Sequence, residues 1–337
     1  MRIERWDPAD ETTAAACYEV HRAAHLADEA DDPPYSAGTF GLFLLEGFDK
    51  TPGEVWFAAD DDAGVVGYYR MQLWDLENLD RAFGGPVVHP AARRRGHGRA
   101  LLRHEAARAA ANGRSVLSGK VVTGSAGEAF AAAAGATPGL VDVRRVQYLA
   151  KIEPGKVAEL RQSASLAATG YSLVSWTGDV PEEYLGPLAQ VINAFEDAPR
   201  GENVQPEAWD AGRVRERTGA HVRAGLLREY AVAALRDGTG EMAAYTGVIV
   251  DPAAPSWGFQ GLTAVTRAHR GRRLGLLVKT AMLELLAEVE PQVELIMTSN
   301  AAANDHMIAV NEQLGYEVAG PGWRFYVAPV ADLLGQA

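Results

Sequence analysis

A chain of 337 residues is long enough for two domains of ordinary size, each able to bury its own core. A hydrophobic fraction of 47% and a charged fraction of 23% fit a soluble globular protein, and no apolar run is long enough to span a bilayer. The formal net charge of −12 argues against nucleic acid as a partner.

The N-terminus, Met1-Arg2-Ile3-Glu4-Arg5-Trp6-Asp7, has no apolar signal core, and the single Cys17 cannot form an internal disulfide. Both predict a cytoplasmic chain. Cys17 lies in Ala14-Ala15-Ala16-Cys17-Tyr18 and reads as a small buried hydrophobe on a helix around Glu11–Ala27. An acidic stretch, Asp31-Asp32-Pro33-Pro34, follows. Strands are predicted at Val55–Asp60 and Val65–Trp74, joined by the turn Asp61-Asp62-Ala63-Gly64. A further strand ends at Val88, a basic loop follows, and a helix runs from about Gly98 to Asn112 with Gly113 as its C-cap. A strand at Ser115–Val122 and an Ala-rich helix near Glu128–Ala134 close this half at Gly135.

Glu153–Gly170, with its Pro-Gly step and small residues, reads as a linker with room for one helix. The plan then repeats over 171–333. A strand at Tyr171–Trp176 leads to a helix near Glu182–Phe195 and an irregular Asp197–Trp209; helix, hairpin, strand, loop and helix follow. A strand at Val293–Thr298, a helix at Asn304–Leu314 and a last strand near Trp323–Val327 complete it. The expected organisation is a domain at 1–152, a linker at 153–170 and a domain at 171–337.

The two loops carry the same pattern. Val87-Val88-His89-Pro90-Ala91-Ala92-Arg93-Arg94-Arg95-Gly96-His97-Gly98 corresponds to Ala264-Val265-Thr266-Arg267-Ala268-His269-Arg270-Gly271-Arg272-Arg273-Leu274-Gly275. Val88 and Val265, Arg93 and Arg270, Gly98 and Gly275, and Tyr68 and Tyr245 are all separated by 177 residues. A constant interval of that length means duplicated domains rather than a solenoid. Strand end, basic Gly-containing loop and helix start together aim backbone N–H groups at an anion, most naturally a pyrophosphate. The Walker pattern is absent from both loops, and Arg stands where a dinucleotide fingerprint has its third Gly. No His/Cys cluster shows metal spacing.

Strand–Arg-x-x-Gly-x-Gly–helix resembles the acyl-CoA loop of the GNAT N-acyltransferase superfamily. In the second half the resemblance extends through Asp197-Ala198-Pro199-Arg200-Gly201, Phe259-Gln260, His269-Arg270-Gly271, Leu274-Gly275-Leu276, Asn300-Ala301, Asn304, Met307, Val310-Asn311 and Leu314-Gly315-Tyr316. These are similar to the C-terminal half of actinobacterial tandem GNAT proteins. The resemblance implies an α/β (α+β) chain of two GNAT folds, each a mixed, splayed β-sheet flanked by helices. It implies N-acyl transfer to a small-molecule amine by direct attack in a ternary complex. The donor is acetyl-CoA or another acyl-CoA; an acyl group on the phosphopantetheine arm of an acyl carrier protein stays open, as does a non-catalytic acyl-CoA-binding protein.

Carried over by position, Val88, Arg93, Arg94, Gly96 and Gly98 form a complete first loop. In the second, Ala264, Val265, Arg270, Gly271, Arg272, Leu274 and Gly275 fall in place, while Arg273 replaces the middle Gly, a change that a negative φ would accommodate. The strand at Ala264–Val265 is expected to supply the oxyanion N–H. Asn300 and Asn304 are expected at the cofactor. Asn311 takes the place of the family's acidic Tyr, where an amide can hydrogen-bond the sulfur or pantetheine but cannot give up a proton. In the first half Gly124 and Ala131 take these two places, so the second half is expected to be catalytic and the first degenerate. Asp197, beside Glu196 in the irregular segment, is the candidate base; on its own it reads as a solvated loop carboxylate. Trp209, Trp257 and Trp323 are expected to build core and acceptor-pocket walls.

Overall fold

The computed structural model describes residues 1–47, 49–195 and 204–335. The first half runs β1 (Arg2–Arg5), α1 (Glu11–Asp28), α2 (Ala37–Glu46), β2 (Gly53–Asp60), β3 (Gly64–Leu73), β4 (Arg81–Phe83), β5 (Val87–Val88), α3 (His97–Ala111), β6 (Val116–Val122), α4 (Ala126–Ala133) and β7 (Thr137–Tyr148). The second runs α5 (Lys156–Ala167), β8 (Tyr171–Thr177), α6 (Leu185–Phe195), α7 (Ala211–Arg217), α8 (Ala220–Arg223), β9 (Arg228–Arg236), β10 (Met242–Val250), β11 (Trp257–Val265), α9 (Leu274–Val289), β12 (Leu295–Ala301), α10 (Asp305–Gln313) and β13 (Tyr316–Val318). The chain ends with β14 (Trp323–Pro329) and α11 (Val330–Gly335). Among the described residues no helix is long and apolar enough to cross a membrane.

Two compact units result. The first comprises Met1–Asp142, Arg200–Gln205 and Gly320–Ala337; the second comprises Val143–Pro199 and Pro206–Ala319. These units cut the chain elsewhere than the boundaries expected from sequence. β14 does not stay with the second half: it pairs antiparallel with β6 from Trp323 against Val122 to Pro329 against Val116, and with the start of β7. Backbone pairing on both sides leaves β14 no open edge, which explains where it settles. The later part of β7 pairs instead with β13, Gln147 opposite Tyr316, inside the second unit. Nor is 153–170 a bare linker. α5 buries Leu160 and Ala164 in the same apolar cluster as Leu277, Val278 and Met282 of α9, so it is a core element of the second unit.

Each unit has a sheet covered on both faces, and the strands show it. In β9, Tyr230, Val232 and Ala234 face the α5–α9 cluster while Ala231 and Ala233 face α6 and α7. A strand buried on both sides reads as a nearly continuous apolar run rather than an alternation. In the first unit, Leu101, Ala106 and Ala109 of α3 pack on one face with Tyr69 and Met71. Cys17 and Val20 of α1 and Phe40 of α2 pack on the other with Val55 and Tyr68. Burial pushes the Cys17 thiol up to about 12, so it is a core hydrophobe with no thiolate character.

Candidate active site

Each unit places its basic loop between a strand end and a helix start. Arg93 and Arg270 share φ −63° and ψ 160°. Left-handed backbone follows at Arg94 (φ 64°) and Gly271 (φ 80°), and again at Gly96 (φ 87°) and Arg273 (φ 56°). The duplication therefore extends to individual backbone angles. The expectation of a negative φ at Arg273 is corrected: the turn into α9 needs a left-handed residue, as Gly96 supplies before α3. A non-glycine residue there costs about 1 kcal/mol. Hydrogen bonds from its guanidinium to Ser163 Oγ (2.5 Å) and Gln313 Oε1 (3.1 Å) hold it.

Helices α1, α2, α4, α7 and α10 begin with side-chain caps from Asp10, Ser36, Ser125, Asp210 and Asn304. α3 and α9 begin without one, which leaves their first N–H groups for another acceptor. Beside the second loop a hollow of about 180 Å³ opens, lined by Val265, Arg270, Gly271, Leu274, Gly275 and Val310 among others. The two loop arginines differ in their company. Arg93 forms a bidentate pair with Asp28 (2.9 and 2.7 Å), and the contacts of Arg270 include the carbonyls of Val265 (3.3 Å) and Ala194 (3.5 Å). Arg272 turns back onto the Ala268 carbonyl at 3.0 Å, and His269 is held by the Tyr171 hydroxyl at 2.7 Å.

The loop in the second unit ends a gap in the sheet. β11 and β12 pair in parallel only from Trp257 and Leu295 to Phe259 and Met297; β11 then continues to Val265 and β12 to Ala301. Across β11 and β10 the register slips, with Thr246 opposite Thr263 but Val248 opposite Gln260. Gly261 and Leu262 thus face Gly247 alone, a β-bulge of the kind that bends a strand away from its neighbour. Thr266 N–H donates to the Ala243 carbonyl (2.9 Å). Alternation in an antiparallel ladder then turns the Val265 N–H away from β10 and into the gap. His89 N–H to the Val66 carbonyl (2.9 Å) repeats this in the first unit, so Val88 plays the same part there.

Asn304 caps α10 by accepting from Met307 N–H at 3.3 Å. Asn311 is fully buried. Its Oδ1 accepts from Lys279 Nζ (2.6 Å) and its Nδ2 donates to Asn300 Oδ1 (2.8 Å). Both ends of the amide are therefore engaged within the protein. Burial pushes Lys279 down to about 7. On the opposite face of the sheet, under α6 and α7, the Tyr245 hydroxyl reaches Glu229 Oε1 at 3.5 Å. Burial raises Glu229 to about 7, opposed by the Tyr245 hydrogen bond and reinforced by Asp179. A Cβ on Gly247 would lie 2.8 Å from the Tyr245 hydroxyl, so glycine at 247 is what lets that ring lie over the bulge. Trp176 adjoins Tyr245 (ring centroids 5.9 Å apart) and stacks on Tyr184 at 5.3 Å.

Residues 52–134 match the Acetyltransferase (GNAT) domain family. A tandem GNAT protein from the clavulanic acid biosynthesis pathway, solved without AcCoA, is 29% identical with a TM-score of 0.78, over 98% of each chain. The first half thus carries a GNAT domain, and the chain over nearly its whole length is similar to a tandem GNAT protein. A GCN5-related N-acetyltransferase from Sphaerobacter thermophilus shares the fold at 16% identity and a TM-score of 0.67, over 98% of this chain and 95% of that one. Among curated proteins, none matches the sequence.

In this chain the second unit brings together Ala264, Val265, Arg270, Gly271 and Gly275 at the loop, and Asn300 with Asn311 beyond the gap. Arg272 and Arg273 are exposed, their guanidiniums bonded to Ala268, Ser163 and Gln313, and Arg273 lines the hollow. Asp197 lies outside the described residues. Trp323 belongs to the first unit, where its indole donates to Glu29 at 2.9 Å, so it walls nothing in the second. Two ionisable groups escaped the sequence reading. Lys279 had a visible signal, a lone Lys inside Leu276-Leu277-Val278-Lys279-Thr280-Ala281-Met282. Glu229 had none: it is the acid at the start of a strand, and only the fold sets it beside Tyr245.

Gly275 offers a clean test of the loop. A Cβ there would meet nothing nearer than Val265 Cγ2 at 3.7 Å, an ordinary contact. Gly275→Ala should therefore melt within a degree or two of wild type. Where backbone must approach a pyrophosphate closely, the added methyl should raise the KM for acetyl-CoA by about tenfold or more. Unchanged KM by initial-rate kinetics would remove the pyrophosphate from this loop.

Proposed function

We propose that this chain transfers an acyl group from a CoA thioester to a small-molecule amine, with the chemistry in the second unit. The observation that carries this reading is the geometry at the second loop, where strand end, sheet gap and helix start meet. A backbone N–H at Val265 turns into the sheet gap beside the uncapped start of α9, and two strands away, on the other face, stands a carboxyl poised near neutrality at Glu229. Neighbouring strands are about 5 Å apart, so Glu229 stands at least about 10 Å from Val265 and serves the reacting centre through water rather than by direct contact.

Each residue then has a task. The uncapped start of α9 and the Arg270 side hold the pyrophosphate. Val265 N–H donates to the thioester oxygen as negative charge develops there. Glu229 takes the proton of the attacking ammonium through bridging water, since a base with a value near 7 is ionised in part at neutral pH and still proton-hungry. Trp176, Tyr184 and Tyr245 offer apolar walls and π faces suited to a cationic amine. The first unit has Gly53, Leu102 and Ala131 where the second has Glu229, Lys279 and Asn311, which supports a non-catalytic role for it.

The test is thiol release from acetyl-CoA against a panel of amines. Arg270→Ala should lose most turnover, while Arg93→Ala, whose guanidinium is committed to Asp28, should retain at least about a tenth. A dead Arg93→Ala with an active Arg270→Ala reverses the assignment of the halves. Release seen only with an acylated carrier protein changes the donor. Tight acetyl-CoA binding with no transfer to any amine overturns catalysis altogether.

A further inference from the structure

Lys279 stands on α9 with 3% of its surface exposed, and among the described residues no carboxylate pairs with it. Burying an amine without a counter-charge is costly. The fold does not require it: the first unit builds the same helix with Leu102 at this position. Its Nζ lies 4.5 Å from the ring centroid of Tyr316, which favours the ammonium form, and it donates to Asn311 Oδ1 at 2.6 Å.

That single bond fixes the chemistry of the next two residues. In the ammonium form, which the Tyr316 ring favours, Lys279 has donors only, and the oxygen of Asn311 faces it. Asn311 Nδ2 is then committed to Asn300 Oδ1 at 2.8 Å. The acceptor of Asn300 is thereby used, and its NH2 group is the end left over. Asn300 lies on β12 beyond Met297, where pairing with β11 stops. It is half-buried rather than sealed, and its NH2 makes no hydrogen bond among the described residues. The chain of three side chains thus begins at a buried cation and ends in a donor at the sheet gap.

We infer that Lys279 is a positioning residue, which through Asn311 orients the Asn300 carboxamide so that its NH2 donates to the sulfur of a CoA thioester in the gap as the thiolate departs. The inference rests on the proposed use of that gap for acyl-CoA. No proton is transferred: the C–S bond breaks, the electron pair stays on sulfur, and the Asn300 N–H hydrogen-bonds the resulting thiolate, which leaves as CoA. Asn311, at the place of the family's acidic Tyr, acts one side chain back from the sulfur. Its own amide is spent on holding Asn300.

The effect can be read without knowing the amine. CoA bound to the full chain is titrated by its thiolate absorbance near 240 nm, in wild type, Lys279→Met, Asn300→Ala and Lys279→Gln. A donor at sulfur stabilises the thiolate, so the bound thiol of wild type should ionise about tenfold more readily than in Lys279→Met or Asn300→Ala. With an accepted amine, kcat should fall about ten- to a hundredfold in both variants while the KM for acetyl-CoA stays within about threefold. Lys279→Gln keeps an N–H at the same end and should recover much of the lost kcat. Lys279→Met replaces a costly amine by an apolar chain, so its melting temperature should not fall; Asn300→Ala reads the same donor should that variant misfold. Equal thiol ionisation in all four proteins, or a raised KM at unchanged kcat, overturns the relay and leaves the acyl-CoA reading intact. A wild-type chain that binds no CoA overturns that reading, and the relay with it.

Discussion

Replacing Glu229 by glutamine should lower kcat about 10²- to 10⁴-fold at pH 7, the range spanned by a positioned general base, with the KM for acetyl-CoA little changed. The amide keeps the shape and the hydrogen bond with Tyr245 but cannot take a proton. The pH dependence gives the sharper signature. A base works only when ionised, and burial raises Glu229 to about 7, so the wild-type rate should climb through about pH 7 to a plateau. In Glu229→Gln that limb should vanish. Tyr245→Phe should move it to higher pH instead, because the lost hydrogen bond had favoured the ionised carboxyl. A wild-type profile with no ascending limb in this region, or a Gln variant with full activity, assigns the proton to another acceptor.

The contrast between Arg270 and Glu229 shows what the sequence made legible. The loops could be read because their signal is local: a strand end, a run of arginines and a helix start within a dozen residues, repeated at an interval of 177. That sufficed for the tandem fold and for the gap that Val265 borders. The left-handed backbone at Arg273 was not legible, since its rescue comes from Ser163 and Gln313, remote in sequence. β14 was placed in the wrong unit for a related reason. Its apolar pattern announces a strand but not its partner, and the pairing with β6 spans about two hundred residues of chain. Asn311 was singled out, but its role changed once Lys279 and Asn300 were found at its two ends. Polar side chains define chemistry by their neighbours, and those neighbours come from three separate elements.

Glu105 of α3 gives the largest expected effect on stability. It is fully buried, no side chain pairs with either carboxyl oxygen, and the nearby Gly85 backbone offsets the burial only in part. Its Oε1 fills the space where a Cβ on Gly84 would stand, only 2.2 Å away. Burial pushes the carboxyl up to about 8, while the unfolded chain holds it at its ordinary value near 4.5. Between those values the folded protein keeps a proton that the unfolded chain has released, so the folded state binds more protons and stability falls as pH rises. The penalty is absent below about pH 4.5, grows by about 1.4 kcal/mol per pH unit, and levels off above about pH 8 at a few kcal/mol. Glu105→Gln removes the titration. Urea unfolding at pH 5, 6, 7 and 8 should show the variant gaining steadily on wild type across that range, and every other titrating group cancels in the difference. The aligned position in the second unit is Met282, buried with 1% exposed, so Glu105→Met should follow the same course. Parallel stability curves for wild type and both variants would mean that the carboxyl is ionised and solvated in solution. A widening gap would show that the first unit carries a protonated acid beside the end of β4, held there at a cost that its packing does not explain.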